Sequence, residues 1–261
     1  EILEVQTPDG PLRRRTRKRP GTLGICALIQ NKLNIDAVPH VLCEGFTREE
    51  SEDFLIELHY LGIDNVFAIR GDTAEHRKSL DGGRTRNDYA SDLIGQITAM
   101  NQGRFLDGLA DASPTEFCVG AAGYPEKHSE APDLQADVAR VKQKVDAGAE
   151  YIVTQMFFDN RHYFSFVDEC RRQGVDVPII PGLRILTSPR QLASIPPAFH
   201  CEIPEALSHE IEATPDRTRD IGVAWAVEQV TELLESGAPS AHFFVMSSAR
   251  TVNDVLARAG L

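Results

Sequence analysis

Two hydrophobic periods take turns along this chain. Short, nearly continuous apolar runs at 37–43, 65–72, 117–122, 151–158, 177–183 and 241–246 read as buried strands. Between them, apolar residues recur at helical spacing. Thr47 and Glu50 form a T-x-x-E capping box that opens a helix with Phe54, Leu55, Leu58 and Leu61 on one stripe. Further helices are expected at 22–33, from about residue 88, at 163–172 (Tyr163, Phe166, Val167 and Cys170 on one stripe), at 218–234 (Val223, Val227, Val230 and Leu234) and at 251–259. Residues 188–212 read as irregular and short-helical. Residues 1–21 have no period, a Pro8-Asp9-Gly10 turn and a basic run, and read as a surface loop.

The most informative stretch is 117–159, a complete strand–helix–strand unit. Leu134, Val138, Val141 and Val145 fall at i, i+4, i+7 and i+11, so the helix over 133–147 turns one stripe to a sheet, and Gly148 stands where a C-terminal cap belongs. Asp137, Arg140 and Lys144 line another face. They sit beside a polar loop carrying Tyr124, Glu126, Lys127, His128 and Glu130, at the strand end where α/β proteins build sites.

Six strands alternating with helices imply a parallel sheet, and the unit length predicts one (β/α)8 TIM barrel over 1–261 rather than a doubly wound sheet. No G-x-G-x-x-G follows a strand, and neither a Walker loop nor H-E-x-x-H occurs. Closing a barrel takes eight strands, so the first two are expected upstream of Glu1, in roughly 45 to 70 further residues.

Composition adds constraints. With 42% hydrophobic and 25% charged residues the chain is an ordinary globular one. A net charge of −12 argues against nucleic acid or anionic membrane as partner and requires a dedicated pocket for any anionic ligand. Cys26, Cys43, Cys118, Cys170 and Cys201 are scattered and never spaced as CxxC; they read as buried free thiols in a reducing cytosol, with no metal site. No apolar run is long enough to span a membrane.

Candidate chemistry gathers at strand ends. His40 lies toward the end of the first strand, and Arg70-Gly71-Asp72 closes the second, with Arg70 and Asp72 of one parity. VPHVLC at 38–43, IRGD at 69–72, DYASDL at 88–93, AGYPEKHSEAP at 122–132, KVDAGA at 144–149, VTQMFFD at 153–159, PIIPGL at 178–183 and HFF at 242–244 occur in this order. With them the chain resembles the methylenetetrahydrofolate reductase family over about 22–261.

The resemblance implies FAD across the top of the barrel, contacted by His40, Arg70, Gly71, Asp72, Tyr89, Ala90, Tyr124, His128, Asp137 and Lys144. It implies a folate meeting Asp72, Gln155 and Gln191, with Asp72 as the catalytic carboxylate. The implied reaction reduces 5,10-methylenetetrahydrofolate to 5-methyltetrahydrofolate with NADH or NADPH, by ping-pong hydride transfer, in a cytoplasmic homo-oligomer serving one-carbon metabolism and methionine biosynthesis. Three departures accompany it. Ile195 replaces an aromatic residue that stacks on ligand; Ser247-Ser248 stand where an arginine meets the folate glutamate, leaving Arg250 as substitute; and the acid glutamate of the first strand has no counterpart, so it is expected upstream. These departures motivate an alternative, a non-catalytic flavin- or pterin-binding barrel subunit of a larger complex. A phosphate-binding barrel of lyase or aldolase type is a third reading.

Overall fold

A computed structural model describes residues 2–7, 10–15, 20–71, 80–108, 112–246 and 248–261. Its centre is a six-stranded, all-parallel sheet: β3 (His40–Leu42), β4 (Asn65–Ile69), β5 (Cys118–Gly123), β6 (Tyr151–Met156), β7 (Ile179–Leu183) and β8 (His242–Phe243). Each strand pairs with the next in the chain, and the order never reverses. A doubly wound sheet reverses at its switch point, whereas a (β/α)8 barrel winds one way. The six expected strands are therefore all present, in barrel order.

Helices alternate with them: α1 (Thr22–Leu33), α2 (Arg48–Tyr60), α3 (Ala90–Met100), α4 (Leu134–Asp146), α5 (Asn160–Arg172), then α6 (Gln191–Phe199), α7 (Glu205–Ala213) and α8 (Thr218–Glu235) between β7 and β8, and α9 (Arg250–Ala259) at the end. The Thr47 capping box forms as read, with Thr47 Oγ1 accepting from the Glu50 N–H at 3.2 Å and Glu50 accepting from the Thr47 N–H at 3.0 Å. On α4, Val138 and Val141 are fully buried, with Leu134 and Val145 packed beside them.

The two faces of the sheet differ. Val41, Val66, Ala68, Val119, Ala121, Ile152 and Ile179 point to the helices and are buried. The alternate positions, Leu42, Ile69, Ala122, Val153 and Ile180, remain half-buried. On this inner face His40, Phe67, Gly120 and Tyr151 share one register level across four strands. Gly120 is required there, because a Cβ would lie 2.3 Å from the Tyr151 ring.

Two expectations need correction. Residues 1–21 are not all loop: β1 (Ile2–Thr7) and β2 (Gly10–Arg15) pair antiparallel, while Pro8 and Asp9 of the expected turn lie outside the described residues. His40 opens β3 instead of lying near its end. Pro39 has no N–H to give the ladder, although its carbonyl still accepts from Phe67 at 3.0 Å. The five cysteines are free, and all but Cys118 are buried.

Candidate functional site

At the C-terminal end of β5 the chain passes through residues 124–133 into α4, whose start is capped by Asp133 accepting the Ala136 N–H at 2.8 Å. The loop bends on itself: the Ala131 N–H reaches the His128 carbonyl at 2.9 Å, and the Glu130 N–H reaches His128 Nδ1 at 3.1 Å. A ring nitrogen that accepts carries no proton, so the neutral imidazole holds its N–H on Nε2. Tyr124 meets the His128 ring edge-on at 4.7 Å between centroids. Burial lowers the His128 pKa, against the pull of Glu130 and Asp137.

The charged face of α4 turns into this loop. Asp137 is only 3% exposed and accepts the His128 backbone N–H; burial raises its pKa, with Lys144 opposing. Its Oδ2 is buried without a hydrogen-bond partner among the described residues. Lys144 donates from Nζ to the Ala122 carbonyl at 2.8 Å and lies 5.9 Å from the Tyr124 ring centroid. Desolvation lowers its pKa to about 8, a shift that Asp137 resists and Arg140 and Arg70 reinforce. A buried acid pushed up beside a buried base pushed down is an arrangement common at functional sites.

Arg70, just beyond β4, closes the cluster. Its guanidinium makes two hydrogen bonds to Glu130, at 2.8 and 3.0 Å. That contact raises the Arg70 pKa and lowers that of Glu130. Glu130 was read as part of the loop, but its pairing with Arg70 was not anticipated, since 60 residues separate the two. With Arg140 Nη2 at 3.5 Å from the Glu130 carbonyl, three cations, Arg70, Arg140 and Lys144, gather with the carboxylates of Glu130 and Asp137 inside an acidic chain, and the charge of Glu44 also reaches Arg70.

The structure thus brings Arg70, Tyr124, His128, Asp137 and Lys144 together. Gly71 follows with φ +91°, and a Cβ there would press to 3.3 Å on Glu44. Tyr89, exposed, caps α3, and Ala90 is its first residue. His40 instead packs on Phe67 at 5.0 Å, level with it in the sheet and below the strand ends. Gln155, half-buried on β6, accepts its neighbour Met156 N–H. Gln191 accepts the Thr187 and Ser188 N–H groups at 2.7 and 2.9 Å, ordering the turn into α6. Asp72 lies outside the described residues.

The far side of the mouth is apolar. Met156, Phe158, Leu186, Ile195, Cys201, Leu207, Ile211 and Ile221 form a second buried cluster, with Phe244 against it. Ile195, 5% exposed, is one of its core members. Ser248 accepts the Arg250 N–H at the start of α9. Sequence reasoning passed over Arg184, which follows β7 and donates to the Phe244 carbonyl at 3.0 Å. A single cation in an apolar stretch carries no periodic signal.

Comparison with known proteins places this geometry. The family model described as methylenetetrahydrofolate reductase matches residues 12–260. Methylenetetrahydrofolate reductase 1 of Schizosaccharomyces pombe is 31% identical over 92% of this chain and 38% of its own. The 5,10-methylenetetrahydrofolate reductase of Salmonella typhimurium is 32% identical over 89% of this chain and 73% of its own. The chain thus spans well under half of the yeast relative and nearly three quarters of the bacterial one. Among solved structures, a 2,3-dimethylmalate lyase superposes with a TM-score of 0.50 at 11% identity, covering 92% of this chain and 66% of that one, a likeness of fold alone. Family model and relatives agree across nearly the whole length: the chain belongs to the methylenetetrahydrofolate reductase family.

Proposed function

We propose that the cluster at the β5–α4 loop holds FAD, and that the chain reduces 5,10-methylenetetrahydrofolate to 5-methyltetrahydrofolate with NADH or NADPH. The observation that carries this reading is the pair Asp137 and Lys144: a buried carboxylate oxygen without a partner beside an ammonium weakened by desolvation. Asp137 Oδ2 is an acceptor that a ligand hydroxyl would satisfy. The cations Arg70, Arg140 and Lys144 suit a phosphate-bearing group, and Gly71 lets backbone approach closely. When bound, FAD would supply hydride transfer, with nicotinamide and folate served in turn.

The residues of the chain then divide the work. Arg70, His128, Asp137 and Lys144 bind and orient the cofactor; Gly71, Tyr89, Ala90, Tyr124 and His40 complete its contacts. Gln155 and Gln191 address the folate. Both present an amide with hydrogen-bonding capacity left after their backbone contacts. The carboxylate of Asp72 would stabilise the cation that forms as the folate ring opens, and would do so more than it stabilises the neutral ground state. The resemblance also motivates a cytoplasmic homo-oligomer, which sedimentation of the purified protein tests. No helix among the described residues is long and apolar enough to cross a membrane.

A second reading, a flavin- or pterin-binding subunit without turnover, is favoured by the burial of Ile195, which leaves no side chain at that position to stack on a ligand. Two measurements separate the readings. Flavin absorbance of the purified protein is expected under the first, and its absence would reject that reading. Oxidation of NADH or NADPH coupled to folate reduction is expected under the first alone.

A further inference from the structure

Outside the cluster just described, a cavity of about 620 Å³ opens between the β5–α4 loop, the start of α5 and the α6–α7 connection. Glu126, His162 and Glu202 line it, each from one of these three segments. Their donor atoms all lie within 4.8 Å of one another. Glu126 spends one oxygen, Oε2, on the Glu202 backbone N–H at 2.7 Å. Its other oxygen, Oε1, is buried and has no hydrogen-bond partner among the described residues. The nearby cations are engaged elsewhere: Lys127 Nζ donates to the Ala131 carbonyl at 3.1 Å, and Arg161 pairs with Asp159. Two carboxylates and an imidazole therefore face a common point, and among the described residues no lysine or arginine pairs with either carboxylate. Such a set repels itself unless a cation joins it.

We propose that Glu126, His162 and Glu202 bind one divalent cation, zinc fitting best, and that it fastens the β5–α4 loop to α5 and to the α6–α7 connection. The donor set decides the metal class. Imidazole suits zinc and its first-row neighbours, whereas magnesium takes oxygen ligands in a near-ideal octahedron. Three protein ligands with a fourth position toward a cavity make an open zinc site, with water in that position. Tetrahedral ligands at about 2.0–2.2 Å from the ion stand on the order of 3.5 Å apart, so the side chains must close by about one ångström. Glu202 is exposed and free to make that movement, while Glu126 and His162 are half-buried and hold the frame. The site lies two residues before His128, so the ion would stiffen the loop from outside without touching the cofactor cluster. The proposal does not depend on the reductase reading.

The test uses the whole purified chain, stripped with EDTA and dialysed, then titrated with zinc chloride and separately with magnesium chloride. One zinc per chain is expected by calorimetry and by metal analysis, with a rise of a few degrees in Tm at saturation. Glu202→Gln and His162→Ala should each weaken zinc binding by at least about tenfold, since even outer ligands matter at that level. Glu202→Gln alters an exposed side chain and keeps the backbone N–H that Glu126 uses, so its folding, checked by circular dichroism, is not at stake. Failure of the wild-type chain to bind zinc overturns the proposal. So does undiminished zinc binding in both variants, which would place the ion on other groups, the cysteines among them. Equal affinity for magnesium overturns the choice of metal.

Discussion

Around the β5–α4 loop, polar groups are held by one another: Asp137 by His128, Lys144 by Ala122, Arg70 by Glu130. Between β6 and β8 the same end of the sheet is built from buried apolar side chains, Met156, Phe158, Leu186 and Ile195, with hydrogen bonds at its edges, where Trp225, Gln229 and Arg184 donate to the carbonyls of Phe158, Phe157 and Phe244. The first half keeps charge in place by mutual compensation, and leaves Asp137 Oδ2 unanswered. The second excludes water and holds shape. A mouth divided this way can grip a charged, hydroxyl-rich group on one side and shelter a flat, less polar one on the other. The two halves should fail differently when altered.

The largest effect is expected in the apolar half. Phe158→Ala removes a side chain that is 2% exposed, and the cavity left should cost about 3–5 kcal/mol of stability in urea titration. A loss under about 1 kcal/mol would mean that this half is not packed core. Next comes Asp72→Asn, which should slow the folate half-reaction about 100-fold, or about 2.7 kcal/mol, while sparing the nicotinamide half-reaction. Equal slowing of both in stopped-flow traces would refute the role given to Asp72.

Lys144→Met should raise the flavin dissociation constant about tenfold, the worth of one charge-assisted hydrogen bond, without unfolding the protein. The wild-type chain offers a pH version of the same test. Lys144 is held near a pKa of about 8, below its ordinary value of 10.5, so between these two the unfolded chain binds the extra proton. Stability from this group therefore rises with pH across that window, while flavin retention falls as the ammonium is lost. Parallel trends in thermal unfolding and flavin release would contradict the assignment. The smallest effect belongs to Glu130→Gln: the Arg70–Glu130 pair is solvent-exposed, and its loss should cost at most about 1 kcal/mol. A larger cost in chemical denaturation would show the pair to be part of the fold.

The same contrast governs what could be read from the chain. Strand order, the α4 stripe and the Thr47 capping box were legible because each rests on neighbours in sequence or on a simple period. The clustering of Tyr124, His128, Asp137 and Lys144 was legible for the same reason, since one loop and one helix carry all four. Arg70 with Glu130, and Glu126 with Glu202, are long-range pairings that no local pattern encodes. Position 195 drew notice only through the resemblance; that Ile195 packs with Phe158 and Leu186, distant in sequence, no local pattern encodes. The β1–β2 pairing was hidden by composition: its register sets Glu4 opposite Arg13 and Leu3 opposite Arg14, so neither strand shows a clean alternation.

The singly wound strand order also bears on how the chain gets made. Because every strand of the six-stranded sheet pairs with the next one in that sheet, the separation between partners there runs from 25 residues, His40 to Asn65, to 63, Ile179 to His242. Closure entropy grows only with the logarithm of length, so the longest connection costs about 0.8 kcal/mol more than the shortest. The long one carries α6 and α7, and its extra length is cheap to close; what holds this stretch to its sequence is the burial of Ile195, Leu207 and Ile211, not chain entropy. Added length is therefore best tolerated at exposed positions between the two helices, such as His200, and worst beside the buried ones.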